Sequence, residues 1–385
     1  CNVYCVSPTE FINYRMEKMR ECNLIVVSQS GCSTNIIQLV EILKKNKMDY
    51  FCLTGNKNGD LYTYSDNVIE YGVDNETIGY VTLGFVTLVE FLILFANEVA
   101  LKRRTITEDK YSENLQNLER AIATSRELYK ESENFVKLYY DQIFKMDSAI
   151  IVADGANMGT AREAALKISE TLKIPAVYYE SEEYAHGPNM QLTPWYHVFF
   201  IDFNPKSDRM YNVFNATGTV TKNVYLVTNR KVKRQNNVIE LGAGIDSDIT
   251  PLFTVVLFQY ICAIVTKEKN NFKCHPDFDK FAKLIKTKTD KYMKMKESKT
   301  TMISIKYTQQ DKEYLLAEAQ KAGCSLSEYI REKSLQGDAI LLKKHDQIFY
   351  RQLCRHNMIL KDAGLSAEQQ ASFEAWEIAT WQSLK

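Results

Sequence analysis

A run of hydroxyl-bearing residues lies between an apolar stretch and a stretch with helical periodicity in this 385-residue chain. Residues 24–27 predict a buried strand, and residues 34–43 predict an amphipathic helix. The first N–H groups of such a helix have no partner and lie at the positive end of its dipole, so the turn before it can bind an anion. The side chains that add donors or acceptors at this turn are those of Ser28, Gln29, Ser30 and Ser33.

The same turn also fits an ordinary helix N-cap with spare serines. Gly31 allows the backbone to turn sharply or to approach a ligand closely. A Walker loop is excluded, because no Gly-Lys-Ser/Thr follows. The sequence therefore favours a phosphate group that is not part of a nucleotide, with the plain N-cap as the alternative.

A second set of residues could carry acid–base chemistry. Glu163, Lys167 and Glu170 have the spacing i, i+4 and i+7, which puts all three on one face of a helix. A carboxylate can accept and return a proton at carbon, and partial burial can raise the pKa of such a group. His186 follows sixteen residues after Glu170, and a histidine can donate and accept protons near neutral pH. The alternative is a solvated Glu–Lys pair worth a few tenths of a kcal/mol.

These residues lie on a chain in which strands and helices alternate, which predicts parallel sheets between helix layers, an α/β fold. Residues 102–145 are polar and helix-patterned, and the strand, glycine turn and helix pattern then repeats. Further strands are predicted at 48–53, 67–70, 149–152, 198–201, 223–228 and 237–240, and buried helices at 82–96 and 252–265.

The SQSGCS turn resembles the SQSGET phosphate loop of the sugar isomerase (SIS) domain, with Cys32 where that family has Glu. The E-x3-K-x2-E helix and the Glu-x-x-His-Gly-Pro turn resemble the active-site pattern of SIS sugar-phosphate isomerases and fructosamine-6-phosphate deglycases. The resemblance implies that Glu170 shuttles a proton between C1 and C2 of an open-chain sugar and that His186 assists ring opening. Lys167 matches the lysine of that helix, and Glu163 matches its first carboxylate.

The resemblance also implies the domain organisation. Residues 1–15 resemble the strand, turn and helix that precede the loop in the isomerase domain of glutamine–fructose-6-phosphate transaminase. The first strand and loop of an SIS domain would precede Cys1, so we expect a truncated first subdomain at 1–100, a helical connection at 101–146 and a second, catalytic subdomain at 147–292.

Three further expectations follow from the resemblance. Thr82, in the segment that resembles the sugar-covering loop, is a candidate sugar contact or a plain N-cap, and Glu163 is a second candidate sugar contact. Lysines in the tail at 283, 286 and 288 are loose candidates for the lysine that the transaminase carries near its end. A homodimer is implied, since the family's histidine reaches into the neighbouring subunit's site.

A different pattern begins near residue 293, where 293–361 carry 13 basic and 8 acidic side chains. The pattern predicts an alternating strand at 302–307 and then a helix at 309–322, which ends at Gly323. Ser325 and Glu328 can cap a second helix. Residues 300–337 resemble the ribbon-helix-helix unit of plasmid-mobilisation accessory proteins, with a helical tail at 338–385. The resemblance implies that Met302, Ser304 and Lys306 face DNA. A small helical interaction module is the alternative.

Composition excludes several classes. Lysine plus arginine equal aspartate plus glutamate at 48 each, so global charge does not indicate a nucleic-acid partner. Nine cysteines without CxxC pairs predict reduced thiols in the cytoplasm, and the five histidines show no zinc spacing, so we expect neither metal nor organic cofactor. The longest apolar run, 78–96, is interrupted by Glu90 and predicts a core helix rather than a membrane span.

The leading hypothesis is an SIS-type enzyme that isomerises or deglycates an amino-sugar or fructosamine 6-phosphate. One alternative is a sugar-phosphate-binding regulator with a DNA-binding C-terminal module. Another is a truncated, inactive SIS part fused to a mobilisation factor. The sequence leaves open the sugar, the leaving amine and the choice between isomerisation and deglycation.

Overall fold

A computed structural model describes residues 3–73, 80–204, 206–232, 235–271, 277–289, 309–322, 326 and 329–330. The chain divides into two compact units. One unit comprises residues 1–77 with 279–385, and the other comprises residues 78–278. The described strands pair in parallel within each of two sheets, so the predicted α/β fold is confirmed.

The sheet of the first unit has three parallel strands in the order β1-β2-β3. They are β1 (Leu24–Ser28), β2 (Tyr50–Thr54) and β3 (Val68–Glu70), with Ser28 opposite Thr54. Ile25 and Val27 on β1 are 42% and 37% exposed, so one face of this edge strand is not covered in the first unit.

Helices of the first unit cover the other face of β1. In residues 3–73 these helices are α1 (Pro8–Glu10, continued by a π-helical turn Phe11–Arg15), α2 (Thr34–Lys45) and α3 (Leu61–Tyr64). The apolar stripe of α2 is buried at Ile36, Ile37, Leu39, Val40 and Leu43 and packs against Val26 and Cys52 of the sheet. Residues 3–7 do not form the strand that the resemblance led us to expect, and Val3 and Tyr4 are exposed.

The sheet of the second unit has five parallel strands in the order β5-β4-β6-β7-β8. They are β4 (Ala149–Ala153), β5 (Ala176–Glu180), β6 (His197–Asp202), β7 (Val224–Thr228) and β8 (Val238–Glu240). Every residue of β4, β6 and β7 is buried, as expected for parallel strands with helices on both faces.

A long charged helix, α5 (Glu108–Leu138), precedes this sheet in the chain. Thr107 caps its first turn by accepting a hydrogen bond from the Lys110 N–H at 3.1 Å. The other described α-helices of this unit that end before residue 278 are α4 (Leu83–Lys102), α6 (Tyr140–Phe144), α7 (Asn157–Lys167), α8 (Ser181–His186), α9 (Arg209–Thr217) and α10 (Pro251–Glu268). Later in the chain lie α11 (Phe278–Ile285) and α12 (Gln309–Lys321), and α12 starts at the predicted residue.

Within the described part of the chain, two helices have the length and apolar composition of a membrane span, Leu83–Lys102 and Ser247–Glu268. In the second, 72% of the apolar window is buried within the protein, as in a core helix, against 33% in the first. The predicted interruption at Glu90 lies on α4, where the glutamate is fully buried.

A buried polar cluster fixes α7 to α10. The Asn157 amide donates to Thr250 Oγ1 at 2.8 Å, and its carbonyl accepts from Thr254 Oγ1 at 2.8 Å. Thr254 also lies 2.9 Å from Thr160 Oγ1. Because buried polar groups cost free energy unless they are paired, these bonds set the rotation of α7, the helix that carries the candidate acid–base residues.

We expect Asn157→Ala to lower the free energy of unfolding by about 1–3 kcal/mol, since two buried threonine hydroxyls lose a partner. Asn212→Ala on the exposed face of α9 is the control and should change it by less than about 0.5 kcal/mol. Urea unfolding followed by circular dichroism measures both. Equal effects of the two substitutions would contradict this role for Asn157.

Candidate active site

The hydroxyl-rich turn lies between β1 and α2, as predicted. Gly31 has a φ of +61°, and a Cβ there would lie 3.0 Å from Thr54 Oγ1 and 3.1 Å from the Cα of Gly59. The Gly31 carbonyl accepts from the Leu61 N–H at 2.8 Å, and the Asn56 amide donates to the Ser30 carbonyl at 3.0 Å. The segment after β2 therefore supports the turn from behind, and only glycine fits at position 31.

The serines of this turn differ in their surroundings. Ser28 is 5% exposed, and its Oγ has no hydrogen-bond partner among the described residues. Ser30 Oγ accepts from the Cys32 N–H at 3.3 Å. Ser33 occupies the N-cap position of α2 without a side-chain capping bond, which disfavours the plain N-cap alternative for that side chain. The carbonyl of Gln29 accepts from the Gly55 N–H at 3.1 Å.

Cys32 is fully buried, and its Sγ accepts from the Asp60 N–H at 3.5 Å. The residue that replaces the family's glutamate thus packs inside the first unit.

A tail segment after α11 lies along this turn. Lys286 has a φ of +43°, and the chain then forms an antiparallel bridge between Ser33 and Lys288. The Thr289 N–H donates to the Cys32 carbonyl at 3.0 Å, and the Thr34 N–H donates to the Thr287 carbonyl at 3.2 Å. Sequence reasoning had not singled out this contact, because nothing in the sequence indicates that residues 252 or more positions apart pair here.

Lys288 is the side chain that this tail brings to the turn. Its Nζ donates to Ser30 Oγ at 2.7 Å and to Ser33 Oγ at 3.0 Å. An ammonium group therefore lies among the hydroxyls predicted to hold a phosphate.

The predicted face of α7 in the second unit is present. The Lys167 side chain is 3% exposed and forms ion pairs with Glu163 Oε1 at 3.4 Å and with the carboxylate of Glu170. Glu163 is 12% exposed and Glu170 is 31% exposed. This is not the solvated pair of the alternative interpretation. One carboxylate, Glu170, combines contact with a buried cation and access to solvent.

The helix carrying these residues widens into a π-helical turn at Ile168–Leu172, which includes Glu170. Lys173 then ends the helix in a left-handed conformation, and Asn271 Nδ2 donates to the Thr171 and Leu172 carbonyls at 3.2 and 3.0 Å. π-Helical turns occur frequently at functional sites. The sequence predicted the shared face but neither the π-helical turn nor the contribution of Asn271.

Cys262 on α10 lies in the electrostatic field of this cluster, with Lys167, Glu170 and Glu163 as its charged neighbours. Burial raises the pKa of its thiol to about 12, so the thiolate is not populated near neutral pH. Cys262 is buried within the core on α10.

His186 lies at the end of α8 and is 81% exposed at its side chain. Its Nε2 is 3.8 Å from Glu182 Oε2, and Glu182 is also bound by Arg209 Nε at 2.6 Å. Arg209 holds the pKa of the Glu182 carboxyl below its usual range. Tyr184 on the same helix is buried and lies 3.0 Å from Thr217 Oγ1, so α8 is fixed with His186 facing outward.

Thr82 precedes α4 and is partly buried, and its side chain makes no capping bond. Its carbonyl accepts from Gln259 Nε2 at 3.2 Å. The phosphate loop belongs to the first unit, whereas Thr82, the Glu–Lys–Glu cluster and His186 belong to the second. Met302, Ser304 and Lys306 lie outside the described residues.

Lys167→Met should lower the free energy of unfolding by about 3–5 kcal/mol, because it leaves Glu163 and Glu170 without their buried counter-charge. Lys137→Met is the matched control, since its i,i+4 pair with Glu133 on α5 is exposed and should be worth less than about 1 kcal/mol. Chemical denaturation of both variants measures the difference. Similar losses would show that Lys167 does not hold the two carboxylates.

Comparisons with known proteins agree with this architecture. Glutamine–fructose-6-phosphate aminotransferase [isomerizing] from Cyanidium caldarium is 30% identical over 183 residues, which are 43% of this chain and 28% of that protein. A second enzyme of the same name, from Thermococcus kodakarensis, is 24% identical, with 62% of this chain and 40% of that protein covered. The chain thus spans less than half of the length of these curated relatives.

Solved structures show the same fold at lower identity. A protein assigned as a phosphosugar isomerase from Clostridium difficile 630 superposes with a TM-score of 0.64 and 22% identity, covering 69% of this chain and 76% of that chain. The C-terminal domain of glucosamine-fructose-6-phosphate aminotransferase from Francisella tularensis gives a TM-score of 0.55 and 22% identity, covering 64% and 71%.

Residues 297–362 match the family model NikA-like, described as mobilization protein NikA. The predicted resemblance to a plasmid-mobilisation protein is confirmed for that segment. The parallel-sheet part of the chain has the fold of the SIS-domain phosphosugar isomerases, and its predicted resemblance to them is confirmed.

Proposed function

We propose that residues 1–292 bind a sugar phosphate and transfer a proton between C1 and C2 of its open-chain form. The substrate class is an amino-sugar or fructosamine 6-phosphate. The observation that carries the proposal is the buried Lys167 ammonium, which holds Glu163 and Glu170 together while leaving Glu170 open to solvent. Proton transfer at a carbon next to a carbonyl requires a base that can reach the substrate, and a carboxylate with such access can serve as that base.

Glu170 is the proposed acid–base residue. Its contact with Lys167 fixes the carboxylate, and the ammonium can also stabilise negative charge that develops on the sugar oxygen during enolisation. Glu163 is less exposed, and we assign it and Thr82 to binding of the sugar hydroxyl groups. Neither role requires a metal or an organic cofactor.

Ser28, Gln29, Ser30 and Ser33 are the proposed phosphate ligands. The buried Ser28 Oγ, which has no partner among the described residues, supports this assignment, because a phosphate oxygen would satisfy it. The N-terminal end of α2 adds a favourable dipole for an anion.

His186 is proposed to assist ring opening. An imidazole that is 81% exposed and fixed in direction by Tyr184 can reach a substrate that is not bound by its own helix. By resemblance that substrate lies in the neighbouring subunit of a homodimer, which we propose as the working assembly.

The test is deuterium exchange. The full chain, incubated in D2O with fructose 6-phosphate, glucosamine 6-phosphate or a fructosamine 6-phosphate, should exchange a hydrogen at C1 or C2 of one of them, as followed by proton NMR. Exchange reports proton transfer whatever the net reaction. Glu170→Gln should lower the exchange rate at least 100-fold with sugar-phosphate affinity changed less than threefold, because an amide cannot carry the proton.

Glu133→Gln on α5 is the control variant and should exchange at the wild-type rate. Full exchange by Glu170→Gln would overturn the assignment of Glu170. Binding of all three sugar phosphates without exchange in the wild type would overturn the enzyme and leave a binding protein.

The family match at residues 297–362 favours a second activity, and we propose that this segment binds DNA as a ribbon-helix-helix module. Met302, Ser304 and Lys306 are the proposed groove-facing residues of its strand. Selection from a random 30-base-pair pool with the full chain should enrich a binding sequence, and Lys306→Ala should weaken its binding by about tenfold or more.

Lys312→Ala on the exposed face of α12 is the control for that measurement and should bind the selected duplex at least five times more tightly than Lys306→Ala. A pool that yields no enriched sequence, or equal losses in the two variants, would contradict the assignment.

A further inference from the structure

We propose that Lys288 is a phosphate-binding residue, supplied to the β1–α2 turn by the tail segment 286–289. The inference rests on the proposed function of that turn and adds to it a cation that the loop itself does not contain. Residues 28–33 carry no lysine or arginine, so the charge must come from elsewhere in the chain.

The position of the ammonium is fixed by the backbone. Thr287 and Thr289 bond to Thr34 and Cys32 on either side of Lys288, and Thr34 Oγ1 donates to the Lys286 carbonyl at 2.8 Å. These bonds hold the tail antiparallel to the turn. The backbone of the tail therefore places the Lys288 side chain next to the turn. A segment fixed in this way is suited to ligand binding, because less conformational entropy is lost when the ligand binds.

The hydroxyls that Lys288 contacts remain able to donate. A lysine ammonium has only donors, so Ser30 and Ser33 must accept from it with their lone pairs. Ser30 Oγ also accepts from the Cys32 N–H. The hydroxyl hydrogen of each serine is therefore left to donate, and an anion oxygen that accepts one of them would lie within about 6 Å of the ammonium.

A phosphate group at this site would interact favourably with both the helix end and Lys288. A cation at a helix N-terminus lies at the unfavourable end of the helix dipole, since cations are favoured at the C-terminus. Here Lys288 Nζ is 3.0 Å from the Oγ of Ser33, the N-cap residue of α2. A phosphate dianion between the helix end and the ammonium would turn this repulsion into attraction on both sides.

A second observation points to the same ligand. Ser28 Oγ, buried at the start of the turn, and Thr289 Oγ1, the residue after Lys288, are both buried atoms with no hydrogen-bond partner among the described residues. Unpaired buried hydroxyls on both the turn and the tail are explained by an oxygen-rich ligand between them. The tail and the turn together then form the anion site.

Titration of the full chain with fructose 6-phosphate and with inorganic phosphate tests the proposal. Lys288→Met, which keeps the length of the side chain and removes its charge, should raise the dissociation constant for both at least tenfold. Lys288→Arg should change it less than threefold, and so should the control Lys45→Met, whose side chain is exposed at the C-terminal end of α2.

A measurement on the wild-type protein avoids any effect of substitution on folding. Saturating inorganic phosphate should slow acetylation of Lys288 at least fivefold, as quantified by mass spectrometry, and leave acetylation of Lys286 unchanged. Unchanged acetylation of Lys288 in protein that binds phosphate would overturn the proposal.

The outcomes separate this proposal from the proposed function. Binding by the wild type with an equal affinity for Lys288→Met would overturn the role of Lys288 alone. Tighter binding by Lys288→Met would show that the ammonium occupies the place of the ligand and would equally overturn it. Absence of binding and of protection in the wild type would overturn both the phosphate site and this inference, whereas binding without deuterium exchange would overturn only the enzymatic proposal.

Discussion

The buried ammonium of Lys167 is the interaction on which the candidate chemistry of the second unit depends. A cation that is 3% exposed is costly unless it is paired, and its two carboxylate partners satisfy it from opposite directions along one helix. Glu163 in turn depends on Lys167, because its own side chain is only 12% exposed. Removing Lys167 leaves two carboxylates without the cation they share, so this one side chain holds Glu170 in position.

The fold around this cluster has to keep α7 in one rotation. The Asn157–Thr250–Thr254 bonds do so at its N-terminal end, and Asn271 fixes the π-helical turn at its C-terminal end. Both sets of hydrogen bonds join residues that lie about 90 to 100 positions apart in the sequence. Strands β4 and β5 provide the part of the sheet against which the helix packs.

The sequence predicted features that depend on local periodicity and missed those that depend on distant pairing. The apolar strands of the two sheets, the amphipathic α2 and the shared face of Glu163, Lys167 and Glu170 follow from spacing alone and are present, whereas residues 3–7 form no strand and the strand predicted at 302–307 lies outside the described residues. The burial of Lys167 could not be predicted from spacing, because an i,i+4 pair has the same pattern on a solvated face. The contact of Lys288 with Ser30 was likewise unpredictable, since it depends on a left-handed residue at 286 and a bridge across most of the chain.

Cys32 is the position at which the turn departs from the loop of the SIS domain. Its side chain is fully buried against the Asp60 N–H, so that side chain does not contribute a group to the proposed anion site. A glutamate at this position would add a carboxylate to the turn, and the cysteine adds none. The turn of this chain therefore has fewer negative groups of its own and, through Lys288, one additional positive group, and both changes favour a more highly charged anion at the same helix end.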